Sequence, residues 1–290
     1  MRFLKDISVS LKNHSRLRLS RLSRRMSGRY VTGFLVSKNN FHFTVPISDL
    51  GVSRVLRWQG EYAKDEEELV LSLTNPESCI AVIGSHIGAL AIPIAKRRRK
   101  VLCIEGNPES YEFLTRNIIL NGIKNIESKN CFLGEDNSAI EFILNTANSG
   151  GTKRFPTVRK NMYFYDNPTV QTFMIQTFDE VSSGENYELV FMDVEGSEYF
   201  VLQGMKRSLP NIRFLVMEFV PHHLKNVSHI SVAQLLDQIR PYFSYCFLPK
   251  KNKHLKMTDC YEEFEKFYLM NEEFSVVLFS KESTEHLFET

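Results

Sequence analysis

The sequence has 290 residues and only five cysteines, and no two of these form a C-x-x-C pair. Cys79, Cys103, Cys131, Cys246 and Cys260 lie far apart. That spacing excludes a cysteine zinc knuckle or a dithiol redox motif and suits reduced, buried thiols in a cytoplasmic protein. No stretch reaches the roughly 20 consecutive apolar residues of a membrane span. Nor does an apolar leader core with a cleavage site follow the start. A soluble protein is expected. Net charge is scarce too, at +2. Positive character is local: the first 35 residues hold nine Lys or Arg against the single acid Asp6. Finally, the glycine turn Val82 to Gly88 (V-I-G-S-H-I-G) lacks the G-x-G-x-x-G cradle of a pyrophosphate site, having only Gly84 and Gly88.

What is present around that turn is half of a nucleotide-binding α/β unit. An apolar strand from Cys79 to Ile83 enters the turn, a helix follows, and a second apolar strand, Val101 to Glu105, ends in an acid. A glycine turn lets backbone approach a ligand closely, and an acid about 20 residues on grips a ribose diol. A nucleoside without pyrophosphate fits this pattern, and S-adenosylmethionine is the obvious choice. The bland explanation is a strand-turn-helix whose glycines serve packing.

With 43% hydrophobic residues the chain can bury one substantial core. We expect a basic extension over residues 1–60 and one domain over 61–290. In the extension Leu4, Ile7 and Leu11 keep helical spacing. Arg16 to Arg29 is Arg- and Ser-rich, like a transit peptide or a basic helix that docks on a protein or the periphery of a membrane. Glu61 to Leu73 reads as a helix ending before Pro76. Pro93 predicts a kink in the helix after Gly88, and Asn107-Pro108 supplies an N-cap and first-turn proline for a helix to Asn121. Further strands are expected over 126–133, 139–144, 188–193, 212–219, 242–248 and 274–279, with a helical face at Val232, Leu235, Leu236 and Ile239. The polar stretch Asn145 to Asn161 reads as a functional or mobile loop. Strands alternating with helices, then a closing strand pair, give a Rossmann-like, doubly wound α/β fold with a mainly parallel seven-stranded sheet.

The fourth core strand ends M-D-V-E-G-S-E (Met192 to Glu198), bringing Asp193, Glu195 and Glu198 together. Glutamates there can simply offset a helix dipole. Asp193 is different, because it follows the apolar run L-V-F-M and meets solvent only if the strand opens into a cleft. At this point the chain resembles the FkbM-type methyltransferases of the class I S-adenosylmethionine-dependent enzymes. The resemblance rests on the glycine turn, on Ile104 to Gly122, on Phe191 to Met205, and on R-F-L-V-M-E-F-V-P (Arg213 to Pro221), and spans roughly residues 78 to 222.

The resemblance implies a donor site in which Gly84, Ser85, His86 and Gly88 surround the methionine moiety. Glu105 holds the ribose hydroxyls, the adjoining Gly106 is also cofactor-binding, Asn107 lies near the adenine, and Asp193 faces the amino-acid end. One departure is Val82, where family members usually carry Asp; Glu135 or Asp193 would have to compensate. For the proton of an acceptor hydroxyl, Glu195 is the first candidate base, then His222 or His223, with Glu218 as orienter of a histidine. Asp193, Glu195 and Glu218 could in principle hold a magnesium-like ion, but no metal is assigned. The expected activity is O-methylation of a sugar, glycan or other small molecule. Tyr163, Phe164, Tyr165, Tyr245 and Phe247 are candidates to stack on a pyranose. Nucleic acid is disfavoured as a partner, since the strand ends in D-V-E-G and not in the Asn/Asp-Pro-Pro-aromatic turn that stacks a flipped base. The alternatives are an RNA methyltransferase or RNA-binding protein, supported by the arm and by Lys250 to Lys256, or a docking module on the same scaffold.

Overall fold

A computed structural model describes residues 15–23, 25–27 and 31–288. The expected spacing of Leu4, Ile7 and Leu11 lies outside the described residues. Residues 15–23 and 25–27 are helical. A hairpin of β1 (Thr32–Val36) and β2 (His42–Pro46) follows, then α1 (Val52–Gln59) and α2 (Lys64–Leu73).

The main sheet is built on β3 (Cys79–Ile83), β4 (Lys100–Glu105), β5 (Ile126–Asn130), β10 (Leu189–Met192), β11 (Phe214–Phe219), β12 (Tyr245–Leu248), β13 (Lys253–Lys256) and β14 (Phe274–Ser280). Its order is β13-β12-β14-β11-β10-β3-β4-β5. The strands β5, β4, β3, β10 and β11 run parallel, and β14 enters antiparallel beside β11. Among the described residues the expected seven strands are therefore eight. The extra one, β13, folds back on β12 through Asn252 in a left-handed conformation at φ 46°. Its sequence K-H-L-K carries one apolar residue and reads as a basic connection, so strand periodicity had nothing to work on.

A second sheet, ordered β6-β9-β7-β8, consists of β6 (Phe132–Leu133), β7 (Ala139–Leu144), β8 (Lys153–Arg154) and β9 (Thr169–Gln176). The expected strand 126–133 is thus split between two sheets. The break at Cys131 lets Phe132 turn over the end of β4. Strand β9 is exposed along most of its length, and its alternation T-V-Q-T-F-M-I-Q is too polar to stand out as a core strand.

Helices α3 (Ala91–Ala95), α4 (Pro108–Leu120), α5 (Glu198–Gln203), α6 (Val232–Ile239) and α7 (Cys260–Met270) complete the packing. Helix α4 begins as its sequence dictates: the Asn107 side chain accepts from the Glu109 amide at 3.0 Å, with Pro108 in the first turn. Pro93 lies in α3, which runs for only five residues, all buried. Of the cations that follow, Arg98 reaches the α2 terminus, donating to Leu71 O, Thr74 O and Thr74 Oγ1.

The hairpin and α1 join the rest of the chain through one apolar cluster that includes Phe43, Val45, Val52 and Leu56 with Ile87, Ile92 and Phe113. Asn117 on α4 is fully buried and locks this junction. Its amide donates to Thr44 O and Ile87 O, and its oxygen accepts from the Thr44 amide at 2.7 Å.

Candidate active site

Strand β3 has β4 on one side and β10 on the other. The chain direction of the connections reverses there, and in open α/β sheets such a switch point opens a crevice beyond the strand carboxyl ends. A cleft of about 400 Å³ lies at that place.

One wall is the turn after β3. Gly84 has φ +83°, and a Cβ on it would sit 1.8 Å from the Asp193 carbonyl oxygen. Only glycine lets the end of β10 cross so closely. The Gly84 and Ser85 amides donate to Ile104 O, and Ser85 Oγ donates to Val82 O at 2.7 Å. His86 adopts φ +48°, a left-handed conformation that a histidine holds only under local constraint. Two bonds supply that constraint. Its amide donates to Glu105 Oε2 at 2.7 Å, and its Nε2 lies 2.8 Å from Ser149 Oγ. Burial holds the imidazole pKa below its usual value. Gly88, at φ +86°, closes the turn against Ile92 and Leu114.

Glu105 stands at the tip of β4 with 8% of its surface exposed, and it lines the cleft. Its other oxygen accepts from the Asn107 amide at 2.8 Å. Burial pushes its pKa up to about 7, against the two amide hydrogen bonds, which pull it down. Gly106 follows with its α-carbon against the Phe132 ring; a Cβ there would lie 2.2 Å from that ring. Asn107 does not line the cleft. Its side chain is committed to capping α4 and to Thr152 Oγ1 at 2.9 Å, so the groups beside Gly106 in the cleft are Cys131, Phe132 and Leu133.

Asp193 follows β10, lines the cleft, and has its pKa raised to about 8 by burial, then by Glu195 and Glu198. Val82 lies within β3, paired with Phe191 and Cys103, and is 1% exposed. Of the two acids expected to compensate for it, Asp193 is in the cleft and Glu135 is not. Glu135 is held at 3.2 and 2.7 Å by the two terminal nitrogens of Arg154, whose guanidinium stacks 3.9 Å over Phe200.

The third group of carboxylates divides by role. Glu198 is buried and accepts from the amides of Val194 and Gly196, which closes the D-V-E-G turn on itself. Glu195, at φ +54°, lines the cleft, and its Oε2 lies 2.7 Å from Lys153 Nζ and 3.3 Å from His223 Nε2. Glu218 sits at a register shift between Met217 and Phe219 in the β11–β14 ladder. A bulge re-aims a side chain, and Glu218 accordingly faces the cleft from an otherwise buried strand. His223 Nδ1 is 3.9 Å from Glu218 Oε2, beyond hydrogen-bonding distance, and among the described residues neither atom has a hydrogen-bond partner. Burial raises Glu218 well above the usual carboxylate range and holds His223 well below the usual imidazole range. Both shifts work against an ion pair at this contact.

His222 is placed elsewhere. Its Nδ1 lies 2.9 Å from Tyr163 Oη and its Nε2 3.5 Å from Glu273, and burial pushes its pKa down to about 4. It does not line the cleft; of the two neighbouring histidines, His223 is the one that reaches Glu195. Of the aromatic residues proposed to stack on a sugar, Tyr165 and Tyr245 do not line the cleft and the other three are spent internally. Tyr163 packs against both histidines, Phe164 against Phe155, and Phe247 against His254 and Phe288. The aromatic side chains lining the cleft are instead Tyr62, Phe132, Phe142 and Phe191.

Two contributors escaped the sequence reading. Lys153, 6% exposed on the two-residue strand β8, comes from the stretch taken as a loop. Asp49, fully buried, accepts from the Ser149 amide at 2.9 Å and the Ser53 amide at 2.7 Å, pinning the Ser149–Gly151 turn to the start of α1. No periodicity marks a two-residue strand. The signal available was the cation pair Lys153-Arg154 between Gly150-Gly151 and Phe155-Pro156.

The strand order, the switch-point cleft and the buried acid at the tip of β4 define a class I methyltransferase fold. The chemistry of its lining fits a nucleoside sulfonium: the Gly84 turn presents bare backbone, and two acids, Glu105 and Asp193, line the same cleft. The chain belongs to the FkbM methyltransferase family, because the Methyltransferase FkbM domain matches residues 83–247. S-adenosylmethionine is the methyl donor of that class.

Two curated relatives are similar over short segments. A tRNA (guanine(37)-N(1))-methyltransferase of Saccharomyces cerevisiae is 32% identical over 74 residues, which are 25% of this chain and 15% of that protein. A probable ribosomal RNA small subunit methyltransferase A of Methanosphaera stadtmanae is 36% identical over 70 residues, 23% of this chain and 26% of that protein. The chain thus spans about a quarter or less of these relatives. Among solved structures, a methyltransferase FkbM from Methylobacillus flagellatus is similar with a TM-score of 0.43 and 15% identity, over 71% of this chain and 44% of that one. A TehB-like methyltransferase from Corynebacterium glutamicum gives 0.44 and 12%, over 79% and 94%.

Proposed function

We propose that the protein transfers a methyl group from S-adenosylmethionine to a hydroxyl of a sugar, a glycan or another small molecule. The observation that carries this reading is Glu195, a carboxylate in the cleft with one oxygen fixed by a buried lysine and a buried histidine. The donor supplies an electrophilic methyl when bound, so the protein's task is positioning and removal of one proton.

The chain's residues divide that task. Glu105 accepts from the ribose hydroxyls, and Asp193 faces the ammonium of the methionine part. Lys153 and His223 hold Oε2 of Glu195, which leaves Oε1 for the proton of an acceptor hydroxyl. Tyr62, Phe132 and Phe142 give the walls apolar surface that excludes water.

RNA is the second reading, and it is favoured by the two relatives whose names carry tRNA and ribosomal RNA. Methyl transfer from labelled S-adenosylmethionine, measured against free oligosaccharides, small hydroxylated acceptors and transfer RNA, separates the two. Label in the first two classes supports the proposal. Label in transfer RNA alone overturns it. If S-adenosylhomocysteine causes neither heat on titration nor a thermal shift, the fold is a docking scaffold and both readings fall.

A further inference from the structure

The helical segment at the N-terminus has two faces with different chemistry. Arg16 and Ser20, one helical turn apart, face the body: Arg16 lines the cleft and Ser20 is 5% exposed. The opposite side is exposed and carries two adjoining stripes. One is apolar, Leu19, Leu22 and Met26, with 49%, 51% and 79% of their surfaces open. The other is cationic, Arg18, Arg21 and Arg25, all exposed.

An apolar stripe of this kind is not left in water without a cost. At about 25 cal/mol per Å² of apolar surface, three such side chains favour any setting that covers them. The cations beside them restrict what that setting can be. Nine Lys or Arg against one acid in the first 35 residues favour a polyanionic surface. An apolar stripe flanked by arginines is the pattern of a helix lying in the plane of a bilayer, with the side chains sunk to the acyl boundary and the guanidinium groups among the headgroups. A nucleic acid would use the arginines and leave the leucines uncovered. A protein groove would use the leucines without requiring the charge.

We propose that this helix docks the protein on an anionic lipid surface. Because the inner side of the same helix, at Arg16, forms part of the cleft wall, docking sets the cleft next to the headgroups. An acceptor carried on the membrane then has the shorter route to Glu195. That last consequence rests on the proposed function; the docking does not.

The test is flotation of the full chain with vesicles of phosphatidylcholine alone and with about 30% phosphatidylserine. Binding is expected only with the anionic lipid and should weaken as salt rises from ~0.1 to ~0.5 M. Replacing Arg18, Arg21 and Arg25 by Gln should lower partitioning on the order of 100-fold. Replacing Leu19, Leu22 and Met26 by Ser, with every charge kept, should lower it at least about tenfold. Thermal unfolding and S-adenosylhomocysteine binding should stay at wild-type values in both variants, since these side chains face outward. No binding to anionic vesicles overturns the proposal. So does unchanged vesicle binding by the serine variant, which would reduce the helix to a purely electrostatic contact. Tighter binding to a transfer RNA than to the vesicles, insensitive to the serine changes, assigns the face to nucleic acid and also overturns it.

Discussion

Glu105→Gln should weaken donor binding and yet leave the ligand-free protein as stable as, or more stable than, the wild type at about pH 8. The carboxyl moves from 4.5 to about 7 on folding. Between those values the native state holds a proton that the unfolded chain releases. Stability is therefore greatest below about pH 4.5 and is lost as pH rises through about 7, by roughly 3 kcal/mol for this group. A glutamine removes that penalty. It also turns one acceptor into a donor against either the His86 or the Asn107 amide, which costs about 1–3 kcal/mol. The net change at high pH lies between zero and about 2 kcal/mol in favour of the variant. Binding should respond the other way, with the dissociation constant for S-adenosylhomocysteine rising about 10- to 100-fold, since a charge-assisted bond to a diol is worth about 1.5–3 kcal/mol. Urea unfolding from about pH 5 to 9, with isothermal titration at each end, measures both. The wild type should lose stability across that range with a steeper slope than the variant. Asp193, raised to about 8, contributes the same sign in both proteins. A variant that binds the ligand normally, or that loses more than about 3 kcal/mol at high pH, refutes the reasoning.

Three further outcomes are expected. Glu195→Gln should reduce turnover by about 10²- to 10⁴-fold with S-adenosylhomocysteine affinity retained, and single-turnover kinetics with the labelled donor would show it. Unchanged turnover removes the base assignment. Gly84→Ala should cost about 3 kcal/mol or more and abolish donor binding, because its Cβ would lie 1.8 Å from a backbone oxygen at φ +83°; chemical denaturation with a ligand thermal shift reads both losses. Asn117→Leu should destabilise by about 3 kcal/mol, as it strands the Thr44 and Ile87 groups in the core, and hydrogen exchange should accelerate first in the β1–β2 hairpin.

The elements that carried period or punctuation were legible in the sequence. Strands β3, β4, β10, β11 and β14 are runs of buried residues, and Asn107-Pro108 marks the start of α4 by a cap that forms as expected. The turn at Gly84 and the acid at Glu105 were visible because their chemistry depends on residue type at a fixed spacing. Strands β6, β8 and β13 were not. They are two to four residues long; β6 and β8 pair with β9 and β7 outside their own neighbourhood, and β13, next to its partner β12, carries a single apolar residue.

What the sequence by itself determined is the parallel core and the cleft wall formed by the Gly84 turn and Glu105, since both follow from short-range pattern: apolar period, glycine at a left-handed turn, an acid at a strand end. The tertiary structure alone decided which polar side chains share the cleft. Lys153 meets Glu195 across 42 residues, Asp49 meets Ser149 across 100, and His223 rather than His222 reaches the carboxylate. The reason is that these pairs meet only in space, between elements far apart in the chain, and such contacts leave no period in the sequence that supplies them.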